Sequence, residues 1–438
     1  MDEPDKKRPS QRVAIDTTAT TSAHYLKGFR DAINDLTPHS SDDVTSETRH
    51  SPTLTATLSG NETATWGLQV TGVLESPFSG KGVRVAALVD GLDTSHPDWS
   101  SRNVIRESFV RGESAIEGGQ SGTHYLGTAF SSLSPVSAPR YGCAPDANVH
   151  VAKVLGSNGS GTLSSILAGL EWAIDKKCRV ILMPILLGSS TNDGIMESTT
   201  KRAIASGALL ISGAGNNARR PTSFGHVVKP AAYQHVISVG TVDRDLHIAR
   251  FSPRSSPQGT VDFVAPGVDL LSSVPDPLRY TKWSGSATSA AFVAGIASLW
   301  AEALPDASAT ELWQALTSTA QKLEYPTVDM GAGLVKAPPS NVAKTAVFTT
   351  EQTKHSPSER PMSKKKDVEQ QVVITIDELH SPTIESIASE LRSAGLNISN
   401  ILANSGIVIG SASPETISKL KAIEGVKAIE EDGEMDAN

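Results

Sequence analysis

Apolar runs that alternate with segments of helical period predict an α/β domain built on a mostly parallel sheet sandwiched by helices. A strand-helix-strand-strand-helix-strand order after residue 369 predicts a second, smaller α+β domain of the βαββαβ, ferredoxin-like kind. The chain's 438 residues, 38% of them hydrophobic, suffice for one large core and one small one. A net charge of −8 gives no basis for nucleic-acid binding. No apolar run approaches the about 20 residues of a membrane span.

The divisions follow composition. Residues 1–64 are rich in Thr, Ser and Asp, with weak apolar periodicity outside the stretch from His24 to Ile33, and predict an irregular arm. The large domain is expected over 65–340. A linker over 341–368 carries Pro357, Pro361 and the solvated run Lys364-Lys365-Lys366, and the small domain occupies 369–438. The opening MDEPDKKRPSQR is polar and charged with no secretory signal after it, so a cytoplasmic location is the expectation. Cys143 and Cys178 allow one disulfide at most, and reduced, buried thiols are expected.

Within the large domain the elements are justified in order. Residues 82–98, GVRVAALVDGLDTSHPD, hold an apolar strand; side chains alternate faces along it, so Asp90 points away from where Val89 points. Residues 119–128, GQSGTHYLGT, contain Ser121 and His124. After the Gly-rich KVLGSNGSG of 153–161, Leu163, Ile166, Leu167, Leu170, Ala173 and Ile174 trace a helical stripe. Residues 180–188, VILMPILLG, read as a strand in which Pro184 removes a backbone donor. LLISGAGNN over 209–217, VISVGTVD over 236–243 and FVAPGV over 263–268 supply further strands and turns. In WSGSATSAAFVAG over 283–295, Gly285 permits a tight entry to a helix. Phe292, Val293, Ile296, Leu299 and Trp300 then recur at three- and four-residue steps on its buried face.

These segments together resemble the signatures of the subtilase family of serine proteases over roughly residues 66–340. The resemblance implies a subtilisin-like fold. It also implies that the catalytic aspartate, general base and nucleophile positions fall on Val89, Ser121 and Ala287, and the oxyanion-stabilising amide on Asn216. It further implies a cleft that holds extended peptide along Gly156, Ser157, Gly159, Ser160 and Gly161, with Pro184 and Gly285 beside it. A methyl group cannot attack a carbonyl. Asp90, His124 and Ser286 stand one, three and one residues from the required positions, and a relay demands contacts of about 2.6–3.2 Å. His124 is read as structural, and Asn216 as a retained structural amide. Thr288, Ala290, Ala291 and Phe292 depart from the pattern too. Asp98 matches a family calcium-ligand position, but the loop before Tyr141 does not resemble the calcium loop, so neither metal nor cofactor is expected.

In the small domain, Gln371 to Ile376 alternates as a strand, Ile384, Ile387, Ala388 and Leu391 follow at helical spacing, and Gly395 stops that helix. Ile398 to Leu402 and Gly406 to Gly410 read as strands, Ser413-Pro414 starts a second helix, and Val426 to Asp432 ends the pattern as a strand. GVKAIEED over 425–432 is similar to the end of the subtilisin propeptide. That likeness implies an inhibitor-like module docked on the chain's own large domain with its acidic tail, Glu430 to Asn438, in the cleft, or on an active protease elsewhere. The expectation for the whole chain is a non-catalytic subtilase, a pseudopeptidase that binds a protein or peptide partner. The alternatives are a serine endopeptidase with a different constellation and an inhibitor acting in trans.

Overall fold

A strand buried on both faces needs an apolar or small side chain at nearly every position, as the runs 85–89, 180–182, 209–213, 236–242 and 263–266 of this chain supply. A computed structural model describes residues 63–116, 118–187, 193–342, 370–377, 383–432 and 434–437. Residues 1–62 of the expected N-terminal arm, nearly all of the expected linker and Gly188 lie outside the described residues. In chain order the large domain comprises α1 (Trp66–Val70), β1 (Arg84–Val89), β2 (Ile105–Ser108), α2 (Gln120–Phe130), β3 (Asn148–Lys153), β4 (Ser160–Thr162) and α3 (Leu163–Asp175). Then follow β5 (Val180–Leu182), β6 (Ile185–Leu186), α4 (Asp193–Ala205), β7 (Leu209–Gly213), β8 (Val236–Val242) and β9 (Phe263–Pro266). The hairpin β10 (Leu270–Ser273) and β11 (Tyr280–Trp283) leads into α5 (Ser286–Ala303), α6 (Ala309–Thr319) and the short α7 (Thr327–Met330).

Seven strands pair in parallel in the order β2-β3-β1-β5-β7-β8-β9, so the expected parallel sheet is present. β5, β7, β8 and β9 are buried along their whole length. One face of the sheet packs on α2 and α5 through Leu126, Phe130, Phe292, Val293, Ile296 and Leu299. The other packs on α3 and α4 through Leu163, Ile166, Leu167, Leu170, Ile195 and Met196. α5 is buried on every side from Ser286 to Ala301, not along one stripe. Its Ala and Gly residues permit that: a Cβ on Gly295 would lie 2.5 Å from Cβ of Cys143. Cys143 and Cys178 are free and buried, and burial pushes the Cys178 thiol up to about 12.

The C-terminal elements are β12 (Gln370–Ile376), α8 (Ile384–Ser393), β13 (Asn397–Leu402), β14 (Ile407–Ala412), α9 (Pro414–Leu420), β15 (Val426–Glu431) and β16 (Glu434–Ala437). The antiparallel sheet runs β13-β14-β12-β15. Ser413 caps α9 by accepting from the Thr416 amide, with Pro414 in the first turn. Alternation gives this sheet two apolar faces. Val372, Ile374, Ile376 and Val408 pack on α8 and α9 through Ile387, Ala388, Leu391 and Leu420. Val373, Ile407 and Ile409 point the other way and join the cluster formed by α3 and α4.

Candidate active-site cleft and polypeptide slot

Thr162 ends β4 and begins α3. Its side chain accepts from the Ser165 amide, and Ser165 Oγ accepts from the Thr162 amide, a reciprocal cap that sets where strand becomes helix. This anchors one wall of a slot. The wall is approached by a tight turn in which the Gly156 amide donates to Ser160 O at 2.7 Å and the Gly159 amide to Gly156 O at 2.9 Å. Gly159 has φ +82°, a left-handed conformation natural to glycine. The opposite wall is β6. Pro184 stands one residue before it, in the break between β5 and β6, so the single strand expected over 180–188 is divided there into two strands that belong to different sheets.

Between the two walls runs β16, antiparallel to both. Glu434, Met435 and Asp436 pair with Thr162, Gly161 and Ser160, while Asp436 and Ala437 pair with Leu186 and Ile185. The slot is therefore shaped to complete a sheet around one extended strand, which here is the chain's own. Asn438 lies outside the described residues. Asp432, two residues before β16, accepts from the Ser164 amide at 2.7 Å and from Ser164 Oγ in the first turn of α3, where exposed amides favour a carboxylate. Arg202 of α4 pairs with Glu171 of α3 and donates to Ser405 Oγ at 2.7 Å, a third tie between the C-terminal elements and the large domain.

Val89 O accepts from the Val154 and Leu155 amides, at the end of the chain that leads into the 156–159 turn. Val89 closes β1 and Ala287 is the second residue of α5; both are in the core. Asp90 turns its carboxylate to the start of α2, accepting from Gly122 N at 2.6 Å and Ser121 N at 3.3 Å. Only glycine fits at 119, where a Cβ would fall 2.0 Å from Asp90 Cγ. Asn216 Oδ1 accepts from Ser286 N at 2.9 Å, and Ser286 Oγ accepts from Gly215 N at 3.0 Å, so both side chains hold the entry to α5. Gly285 donates its amide to Gly267 O at 2.8 Å. Ser289 is tied to Thr241 Oγ1 at 3.0 Å, while Ser284 Oγ accepts from the Asp269 amide at 2.9 Å. His124 is enclosed, stacked on Trp283 at 4.3 Å between ring centroids, and burial pushes its pKa down to about 3. Ser121 and Ser284 are half-buried; Ser286 is fully buried.

The profile of the subtilase family matches residues 80–334. This chain belongs to the subtilase family. It is similar to "Alkaline elastase YaB" of Bacillus sp. (strain YaB), 34% identical over 280 residues that cover 63% of this chain and 70% of the relative. It is also similar to "Subtilisin Savinase" of Lederbergia lenta, 33% identical over 276 residues covering 62% of this chain and 96% of the relative. "Thermostable alkaline protease" of Halalkalibacterium halodurans (strain ATCC BAA-125 / DSM 18197 / FERM 7344 / JCM 9153 / C-125) is 32% identical over 281 residues, covering 63% and 73%. These findings correct the expectation of a non-catalytic binding protein: the relatives of this subtilase bear the names of proteases, and the family relationship points to a protease. The overturned expectation weighed three side chains. A catalytic constellation is defined by the geometry and roles of its groups and recurs with unrelated sequence positions, so substitution at positions 89, 121 and 287 does not decide the class.

Asp98 of this subtilase is buried and filled by donors: Val136 N at 2.8 Å, Tyr141 Oη at 2.6 Å and Tyr280 Oη at 3.0 Å. Burial, then the neighbouring Asp98, raises the Tyr141 pKa and keeps the phenol a donor. Tyr141→Phe is expected to cost roughly 1–3 kcal/mol, because a buried carboxylate loses a hydrogen bond that nothing replaces; urea unfolding of the two proteins measures it. At the surface, Asp243, Asp245 and His247 bring one ligand atom each close together, but Asp243 Oδ1 already accepts from the Asp245 and His247 amides. No helix among the described residues is long and apolar enough to cross a membrane.

Asn216, the 156–161 turn and the apolar run around residue 185 carry motifs visible in the sequence; two acidic groups, Asp432 and Glu113, do not reveal their partners there. Asp432 was legible as part of IEED, but not its partner Ser164, which is 268 residues away. Glu113 offered no motif; only the fold brings it to Ser157 and Lys153.

Proposed function

We propose that the protein is a subtilase-type serine endopeptidase that takes polypeptide in extended form, with its propeptide-like C-terminal domain docked in cis and β16 standing in for substrate. The observation that carries this reading is the slot itself: β4 and β6 pair antiparallel with a polypeptide strand laid between them. Main-chain pairing on both sides binds a substrate regardless of much of its sequence, as a peptide-handling enzyme requires. Family membership and the proteases among its relatives support peptide-bond hydrolysis.

In this reading positions 89, 121 and 287 do not play their family roles: Ser121, at the family's general-base position, acts instead as the nucleophile. Ser121 is the half-buried hydroxyl next to a carboxylate, since its own amide is bound to Asp90 at 3.3 Å at the start of α2. Asn216 lies against the start of α5, its Oδ1 accepting from the Ser286 amide at 2.9 Å. A nucleophile and a polarised carbonyl are the two things acyl transfer needs.

The test compares the full chain with a variant lacking residues 434–438. Hydrolysis of a mixed peptide substrate and labelling of a cleft serine by a fluorophosphonate are expected to rise once β16 is gone, and Ser121→Ala is expected to abolish both. If neither protein cleaves peptide and neither is labelled at any serine, the endopeptidase reading is overturned.

A further inference from the structure

A lysine with 1% of its surface exposed is an expensive feature unless its charge is matched, and Lys153 is such a residue at the end of β3. Its Nζ donates to the Asp90 carbonyl at 2.7 Å and lies 3.1 Å from Glu113 Oε2. The pair sits at the junction of three strands: Lys153 is in register with Val89 of β1 on one side and Ser108 of β2 on the other. Glu113 does more than neutralise the amine. Its carboxylate accepts from the Ser157 amide at 3.0 Å and from Ser157 Oγ at 2.8 Å. It also lies so close to Gly156 that a Cβ there would come within 2.7 Å of Oε1.

Ser157 belongs to the tight turn that delivers β4 to the slot. We infer that Glu113 is the positioning residue of the slot's β4 wall, clamping the 156–159 turn to the buried amine of Lys153 and, through it, to the end of β1 at Asp90. The inference rests on the reading of the slot as the polypeptide-binding site. It gives a physical reason for a buried cation at this place: Ser160 is tied to the turn through the Gly156 amide, so a turn held in place holds the start of β4, which has only three residues with which to hold its own register. It also links the strand bearing Val89 and Asp90 to the wall on which substrate pairs, so that displacement of one is felt by the other.

Glu113 touches neither slot strand, so its role is separable from binding itself. The experiment is amide hydrogen exchange, read by mass spectrometry, on the full chain and on Glu113→Ala, Glu113→Gln and Ser157→Ala. Glu113→Ala is expected to speed exchange in 160–162 and 434–437 by about tenfold or more while β8 stays as protected as before, since local opening is governed by local contacts. Glu113→Gln, whose amide oxygen still accepts from Ser157, recovers part of that protection. Ser157→Ala, a surface change that leaves the ion pair whole, gives a smaller rise confined to the same segments. Unchanged exchange of 160–162 and 434–437 in a folded Glu113→Ala protein overturns the positioning role. Should Glu113→Ala unfold globally, seen as loss of protection in β8, Ser157→Ala decides: no change in those segments overturns the role as well. Fast exchange of 434–437 already in the unaltered chain overturns the slot reading itself, a failure distinct from that of Glu113.

Discussion

Val373→Asp is expected to detach the C-terminal sheet from the large domain and to empty the polypeptide slot. Val373 is fully buried in a cluster shared with Ile407 and Ile409 on one side and with residues of α3 and α4 on the other. A carboxylate there must shed its water within an apolar cluster, a loss on the order of 3 kcal/mol, or roughly a hundredfold in the docked population. The fold of the C-terminal sheet is expected to survive, because its own helices pack on the opposite face through Val372, Ile374 and Val408. Limited proteolysis and hydrogen exchange follow both events: 434–437 and 160–162 lose protection together, while β12 and β14 keep theirs. Loss of protection throughout β12 and β14 would mean that the module cannot stand without the large domain. Full protection of 434–437 with Asp at 373 would mean that β16 holds its place without the docked face.

Asp262→Asn is expected to stabilise the protein above neutral pH and to leave it unchanged in acid. Burial raises the Asp262 pKa from 3.8 to about 7, against the lowering effect of a hydrogen bond received from the Ser238 amide at 2.8 Å. The folded state therefore holds its proton where the unfolded state has released it. Below about pH 4 both states are protonated and the group adds no pH dependence. Between there and about pH 7 the unfolded chain binds fewer protons than the folded one, so stability falls as pH rises. Above that window the penalty is complete. At about 1.36 kcal/mol per pKa unit it amounts to ~4 kcal/mol, an upper figure because part of the side chain still meets solvent. Asparagine keeps the oxygen that accepts from Ser238 and removes the ionisation. Urea unfolding at pH 4 and pH 8 should show a gain at the higher pH alone; an equal shift at both would assign the effect to packing.

Much of the architecture was legible in one dimension because strand and helix periods are local properties. The apolar runs 85–89, 180–182, 209–211 and 236–239 became adjacent parallel strands, and the order after residue 369 became the four-stranded antiparallel sheet with two helices. Ser413-Pro414 started its helix where cap chemistry places one. Side-chain identity at positions 89, 121 and 287 does not decide function here, because the family relationship is carried by the whole domain and not by three positions. Pro184, which lacks a backbone donor, falls in the break between β5 and β6, so the apolar run 180–188 became two strands and not one.

Composition, period and motif determined that this chain has an α/β core of the subtilase kind, and they predicted a Gly-rich turn at 156–161 and a smaller βαββαβ unit after residue 369. Tertiary structure alone decided that Val373, Ile407 and Ile409 dock on α3 and α4, that Asp432 caps α3, that β16 lies between β4 and β6, and that Glu113 meets Lys153 and Ser157. The reason is separation along the chain: local periods report which face of an element is apolar, while the partner that covers it, or the donor that satisfies a carboxylate, is chosen by packing between residues far apart in sequence.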